Sequence, residues 1–156
     1  GRVVRSQWND PFYGYGVYAY NDNRGSRQSL WAVAFNCPPA LQPGERITGV
    51  YVNVNARYDA GTSRNLMRML VNYPSQQGGY AETTRDTPTW SQGSSDDGFR
   101  WRMSGYGWNI TSLRSTWSIQ NVRDLWVGAR RFGNQDPVGI SRARVNAFSI
   151  TITTAF

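Results

Sequence analysis

The segment from 142 to 153 constrains the fold more than any other stretch of the chain. Arg142-Ala143-Arg144-Val145-Asn146-Ala147-Phe148-Ser149-Ile150-Thr151-Ile152-Thr153 alternates large and small residues at a period of two. Phe148, Ile150 and Ile152 fall on one face, and Ala147, Ser149, Thr151 and Thr153 on the other. That is the pattern of a long β-strand with one buried side, not of a helix. Residues 125–130 read as a second, shorter strand. A Gly/Pro-rich connection joins the two, so they pair or face each other.

Upstream the same logic recurs. Residues 47–58 form another long strand, with Val50, Val52, Val54 and Ala56 on its apolar face and Tyr51, Asn53, Asn55 and Arg57 on the other. A turn at Asp59-Ala60-Gly61-Thr62 leads into 66–73, where Met67, Met69 and Val71 oppose Leu66, Arg68 and Leu70, and the two runs read as a hairpin. Residues 30–35 form a strand placing Trp31, Val33 and Phe35 on one face, and 13–20 alternates tyrosines with small residues. Phe99-Arg100-Trp101-Arg102-Met103 is a further short strand. From 74 to 98 the chain is polar and reads as one long connection, of the kind that is functional or pinned by packing. Only 118–124 fits a helix, capped by Ser118. At 156 residues the chain is one domain. We expect an all-β fold, an antiparallel sandwich of jelly-roll type with long loops and at most one short helix, over 21–156. Residues 1–20 are expected to form an aromatic N-terminal arm or edge strand.

Absent residue types exclude most chemistry. All 17 basic residues are arginine, and histidine is missing as well as lysine. Without imidazole there is no Ser-His-Asp or Cys-His site, and zinc or copper lose their commonest ligand. Without lysine there is no Schiff base and no P-loop lysine. The lone cysteine, Cys37, has no disulfide partner within the chain and no basic neighbour in sequence, and reads as a buried structural thiol. Asp96-Asp97-Gly98, Glu45 and Glu82 are the carboxylates a glycosidase or calcium site would use, but adjacent aspartates before glycine are the mark of a solvated turn and EF-hand spacing is absent. We expect no catalytic residue, no metal and no cofactor.

The formal charge of +7 and the interleaving in Phe99-Arg100-Trp101-Arg102 and Arg130-Arg131-Phe132 suit a single-strand stacking groove. Yet the arginines are dispersed and no basic run exceeds two residues, so nucleic acid is not an expected partner. Arginine forks and surface aromatics suit subunit interfaces, and the candidates are Trp8, Phe12, Tyr13, Tyr15, Arg100, Arg102, Arg130 and Arg131. Seven tryptophans and nine tyrosines exceed what one small core takes. Tyr80, Trp90, Tyr106 and Trp108 are candidates for stacking on a glycan, or else for pinning loops to the sandwich. Asn109-Ile110-Thr111 matches a glycosylation acceptor, a short pattern that also arises by chance. No apolar run approaches the roughly 18 residues of a membrane span. Gly1 is expected to follow removal of an initiator methionine, with leader cleavage as the alternative.

The order Leu41-Gln42-Pro43-Gly44-Glu45-Arg46-Ile47-Thr48-Gly49-Val50-Tyr51-Val52-Asn53-Val54, a polar middle, then Trp117 through Asp124-Leu125-Trp126-Val127-Gly128 and a final alternating strand resembles the jelly-roll-like virion-surface modules of tailed bacteriophages. The likeness covers 41–154 and rests on pattern rather than on a catalytic signature. It implies a structural or adhesive protein of a tail, fibre or capsid decoration. Such a protein is oligomeric or bound to other virion proteins, is located on the particle, and needs no cofactor. A carbohydrate-binding module is the alternative from a different class.

Overall fold

The computed structural model describes residues 1–9, 17–21, 29–33, 38–60, 66–86, 107–132 and 141–156. Nine strands are found there: β1 (Val3–Asn9), β2 (Val17–Asn21), β3 (Ser29–Val33), β4 (Arg46–Ala60), β5 (Leu66–Pro74), β6 (Tyr80–Asp86), β7 (Trp108–Asn109), β8 (Trp126–Phe132) and β9 (Ser141–Ala155). A single 3-10 turn (Thr111–Leu113) and one short helix, α1 (Ile119–Arg123), complete the described elements. All pairings are antiparallel. Sheet A runs β1-β9-β4-β7, with β2 also on β9, and sheet B runs β3-β8-β5-β6. Sequence neighbours from β2 to β9 therefore alternate between sheets, apart from the β5–β6 hairpin. This is the strand order of a jelly roll, and the expected fold class holds.

The two long strands run side by side. β4 and β9 pair from Arg46↔Ala155 to Ala60↔Arg142, and irregularities near Thr48, Asn146 and Asp59 restore the alternation where it would drift. Val50, Val52, Phe148, Ile150 and Ile152 meet Met69, Val71 and Val127 of sheet B in one core. Alternation supplies the reason: each strand turns one apolar face inward, and burial of that face drives the stacking.

Two expectations need correction. Residues 47–58 and 66–73 do not form a hairpin, because β4 lies in sheet A and β5 in sheet B. Between them the chain crosses from one layer to the other, which local alternation cannot distinguish from a tight reversal. The polar stretch after 74 is not one continuous connection, since Tyr80–Asp86 is a strand paired with β5 across a turn closed by Ser75 and Gly79. Gly78 and Gly79, both at positive φ, make that turn. Of the pair-or-face alternative for 125–130 and 142–153, facing is correct: β8 and β9 lie in different sheets.

The connections divide between two ends of the sandwich. Ala60 lies opposite Arg142, Leu66 opposite Phe132 and Asn21 opposite Ser141, so the links 22–28, 61–65, 87–106 and 133–140 all leave from one end. At the other end the chain between β7 and β8 plugs the core with Ile110, Trp117, Val122 and Leu125. Trp117 Nε1 donates to the Thr111 carbonyl at 2.9 Å, and α1 opens on a reciprocal capping box between Ser118 and Asn121. Arg114 donates to the Pro74 carbonyl, and Gln76 and Ser115 exchange two hydrogen bonds, which ties the β5–β6 turn to the plug.

Candidate functional site

The best-defined polar cluster lies at the plugged end. Gln42-Pro43-Gly44-Glu45 forms a turn in which the Glu45 amide donates to the Gln42 carbonyl at 3.0 Å and Gly44 takes φ of 79°. Proline then glycine at the two central positions is the type II pattern. That turn presents the Glu45 carboxylate inward, 8% exposed as a residue. Arg2 grips it with a fork, Nε to Oε2 at 2.8 Å and Nη2 to Oε1 at 2.9 Å. The Thr154 hydroxyl donates to Oε2 at 2.6 Å and the Gln42 amide to Oε1 at 2.9 Å. Arg2 first, then Thr154 and the Gln42 amide, hold the carboxyl down to about 2. The Thr154 amide donates to the Arg2 carbonyl at 2.9 Å, so the clasp joins the start of β1, the start of β4 and the end of β9. A carboxylate ionised this firmly is a structural anchor, not an acid or base for neutral-pH chemistry.

The sequence-derived candidates scatter. Trp8 sits in β1 opposite Phe148, in the row that continues to Val54. Arg130 and Arg131 sit in β8 opposite Arg68 and Met67. Tyr80 opens β6 and is 55% exposed. Trp108 is in β7 opposite Val52, half-buried and packed against the core, so this candidate pins an edge strand to the sandwich. Phe12, Tyr13, Tyr15, Trp90, Arg100, Arg102 and Tyr106 lie outside the described residues, as do Cys37, Asp96, Asp97 and the strand expected at 99–103. Residues 3–9 and 17–20 of the expected N-terminal arm or edge strand pair along β9 of the same chain, as does Asn21. Asn109 of the glycosylation pattern accepts the Thr111 amide at 3.0 Å, and the Thr111 hydroxyl accepts the Val50 amide at 2.9 Å. Among the described residues no three His, Cys, Asp or Glu gather to hold a metal, and no helix is long and apolar enough to cross a membrane.

The cluster that sequence reasoning missed is the Arg2–Glu45–Thr154 clasp. The Pro-Gly-Glu turn ahead of a strand announces where Glu45 goes, but nothing local announces Arg2 as its partner. The described residues thus define a jelly roll fastened at one end. No family model matches the sequence, and no curated protein matches it. Among solved structures the chain is similar to the VP2 subviral particle of infectious bursal disease virus, with a TM-score of 0.43 and 11% identity over 97% of this chain and 32% of that one. The Gx strain of the same virus gives 0.37 and 8%, again over 97% and 32%. The chain spans about a third of the length of these neighbours. At these values the likeness carries no functional argument.

Proposed function

We propose that the chain is a non-enzymatic structural subunit of a virus particle, of the tail, fibre or capsid-decoration kind in a phage. The observation that carries this reading is the strand order β1-β9-β4-β7 over β3-β8-β5-β6, an architecture used by capsid and lectin domains. The chain contains no histidine or lysine, and its buried Glu45 is committed to Arg2. Neither fact favours catalysis. Arginines and aromatics supply the subunit contacts, with Arg100, Arg102, Phe12, Tyr13 and Tyr15 among them.

The test is size-exclusion chromatography with light scattering. Deleting residues 1–20 would strip β1 and most of β2 from β9, so substitutions serve better. The native chain forms a defined oligomer, and Phe12→Ser with Tyr13→Ser and Tyr15→Ser reduces it to monomer without lowering the melting temperature. A native chain that stays monomeric at every concentration, or turns over any substrate, defeats the reading. The carbohydrate-binding alternative keeps Tyr80 as its one exposed aromatic candidate among the described residues. Strong glycan-array signals lost in Tyr80→Ala would favour it.

A further inference from the structure

Two large aromatic side chains stand in solvent on the same side of sheet B. Val127 points into the core, so the alternation of β8 turns Trp126 outward, where it is 42% exposed. Asn72 lies opposite Trp126 on β5, and Glu82 lies opposite Asn72 on β6. One row along, Tyr80 lies opposite Pro74 and is 55% exposed. Neighbouring strands are about 4.8 Å apart and two residues advance about 6.8 Å, which sets the Cα positions of Trp126 and Tyr80 about 12 Å apart. The amide of Asn72 and the carboxylate of Glu82 fall between them. The patch has definite limits. The row Thr84–Leu70–Gly128 beside it is closed at its centre, where Leu70 is 1% exposed. On its other side runs the β5–β6 turn, where a β-carbon on Gly78 or Gly79 would meet nothing within 4 Å.

The polar groups of this patch are uncommitted. Among the described residues, the side chains of Asn72, Tyr80 and Glu82 make no hydrogen bond or ion pair. Asn72 is half-buried, and an amide held there needs partners from outside the chain. Nearby arginines are placed elsewhere. Arg114 donates to the Pro74 carbonyl and lies over the Trp117 ring, and Arg85 belongs to the other side of the sheet, opposite Met69. Arg68 lies beyond the closed row. The patch thus offers a carboxylate and no arginine of its own, which disfavours an anionic ligand. Aromatic faces suit the C–H faces of sugar rings, while carboxylate and amide groups bond hydroxyls. A guanidinium would also suit Glu82 beside a ring, but it has no acceptor to offer the Asn72 amide donors. Stacking positions this far apart exceed the span of a single sugar ring.

We infer that the outward face of sheet B, at the plugged end, binds an uncharged oligosaccharide. Trp126 and Tyr80 stack on separate sugar rings, and Asn72 and Glu82 hydrogen-bond the hydroxyls between them. The site extends the carbohydrate reading of Tyr80 and is independent of whether the chain assembles into particles.

A printed array of neutral and sialylated oligosaccharides, probed with the full chain, tests it, and the best-retained neutral glycan is then titrated by calorimetry. Neutral glycans are expected to be retained in preference to sialylated ones. Trp126→Ala and Tyr80→Ala each weaken binding about tenfold. Glu82→Gln weakens it less, because an amide oxygen still accepts from a hydroxyl. Affinity changes less than about twofold between about 50 and 500 mM salt, as for an uncharged ligand. Phe156→Ala removes an exposed aromatic that follows β9 in the other sheet and also stays within about twofold. Tyr80 begins an edge strand and is more than half exposed, so Tyr80→Ala keeps its melting temperature and separates loss of ligand from loss of fold. Retention of no neutral glycan, equal losses in Phe156→Ala and Trp126→Ala, or tighter, salt-sensitive binding of a tetra-arginine peptide would each overturn the proposal.

Discussion

Ile150 and Thr151 are adjacent in β9, both nearly sealed from solvent at 1% and 6%, yet the register puts them on opposite sides of sheet A. Ile150 lies opposite Val52 and joins the core between the sheets; Thr151 lies opposite Tyr51 and Arg5 on the outward side. Replacing Ile150 by Ala removes three carbons, about 2.4 kcal/mol of transfer free energy at about 0.8 kcal/mol each. The surrounding Val, Ile and Met side chains are held by two hydrogen-bonded layers and close the void only in part. The cavity therefore raises the cost to about 3–4 kcal/mol. Thr151→Ala opens no cavity between sheets and forfeits mainly strand preference and local packing, about 1 kcal/mol or less. Against a total stability of about 5–15 kcal/mol, the first loss is severe and the second minor. Urea titration of both variants, read at constant m-value, measures the difference. Equal losses, or a larger loss for Thr151→Ala, would refute the register, because a slip of one residue exchanges the two faces.

Two further predictions concern other parts of the molecule. Glu45 is depressed from an ordinary 4.5 to about 2, so the clasp contributes fully above about 4.5 and is lost as pH falls toward about 2. The melting temperature should hold down to about pH 5 and then fall, and Glu45→Gln should start lower at neutral pH and flatten that fall; an unchanged acid limb in the variant would disprove the assignment. Gly107 has φ of 100°, and a β-carbon there would stand 2.6 Å from the Val52 carbonyl oxygen, so Gly107→Ala should cost about 2 kcal/mol or more by denaturant titration. A neutral result would mean that the chain entering β7 does not pass so close to β4.

How much of this was visible in the residues depended on whether the signal was local. β4 and β9 were legible because Val50, Val52, Ile150 and Ile152 recur at a strand's own period. Helix α1 was legible because Ser118 caps it, and the observed capping box with Asn121 bears this out. β6 was not, because Glu82, Thr84 and Arg85 are exposed and Thr83 offers little apolar contrast, as an edge strand permits. Leu125 looked like the first residue of a strand but belongs to the core plug, one position before β8 begins at Trp126. Strand partners were least legible. The choice between hairpin and crossover after 60 is decided by which sheet β8 and β9 occupy, far along the chain. The clasp depends on the same kind of distant pairing, Arg2 with a carboxylate 43 residues away.

We have proposed that this jelly roll is a building unit of a particle. Electron cryomicroscopy of the assembled fraction from cells producing the chain tests it most directly. The predicted result is a regular array in which each repeat fits the two packed sheets, with the connections 61–65 and 87–106 leaving from one end and the Arg2–Glu45 clasp at the other. Isolated single copies in every field, with no ordered contact between chains, would contradict it.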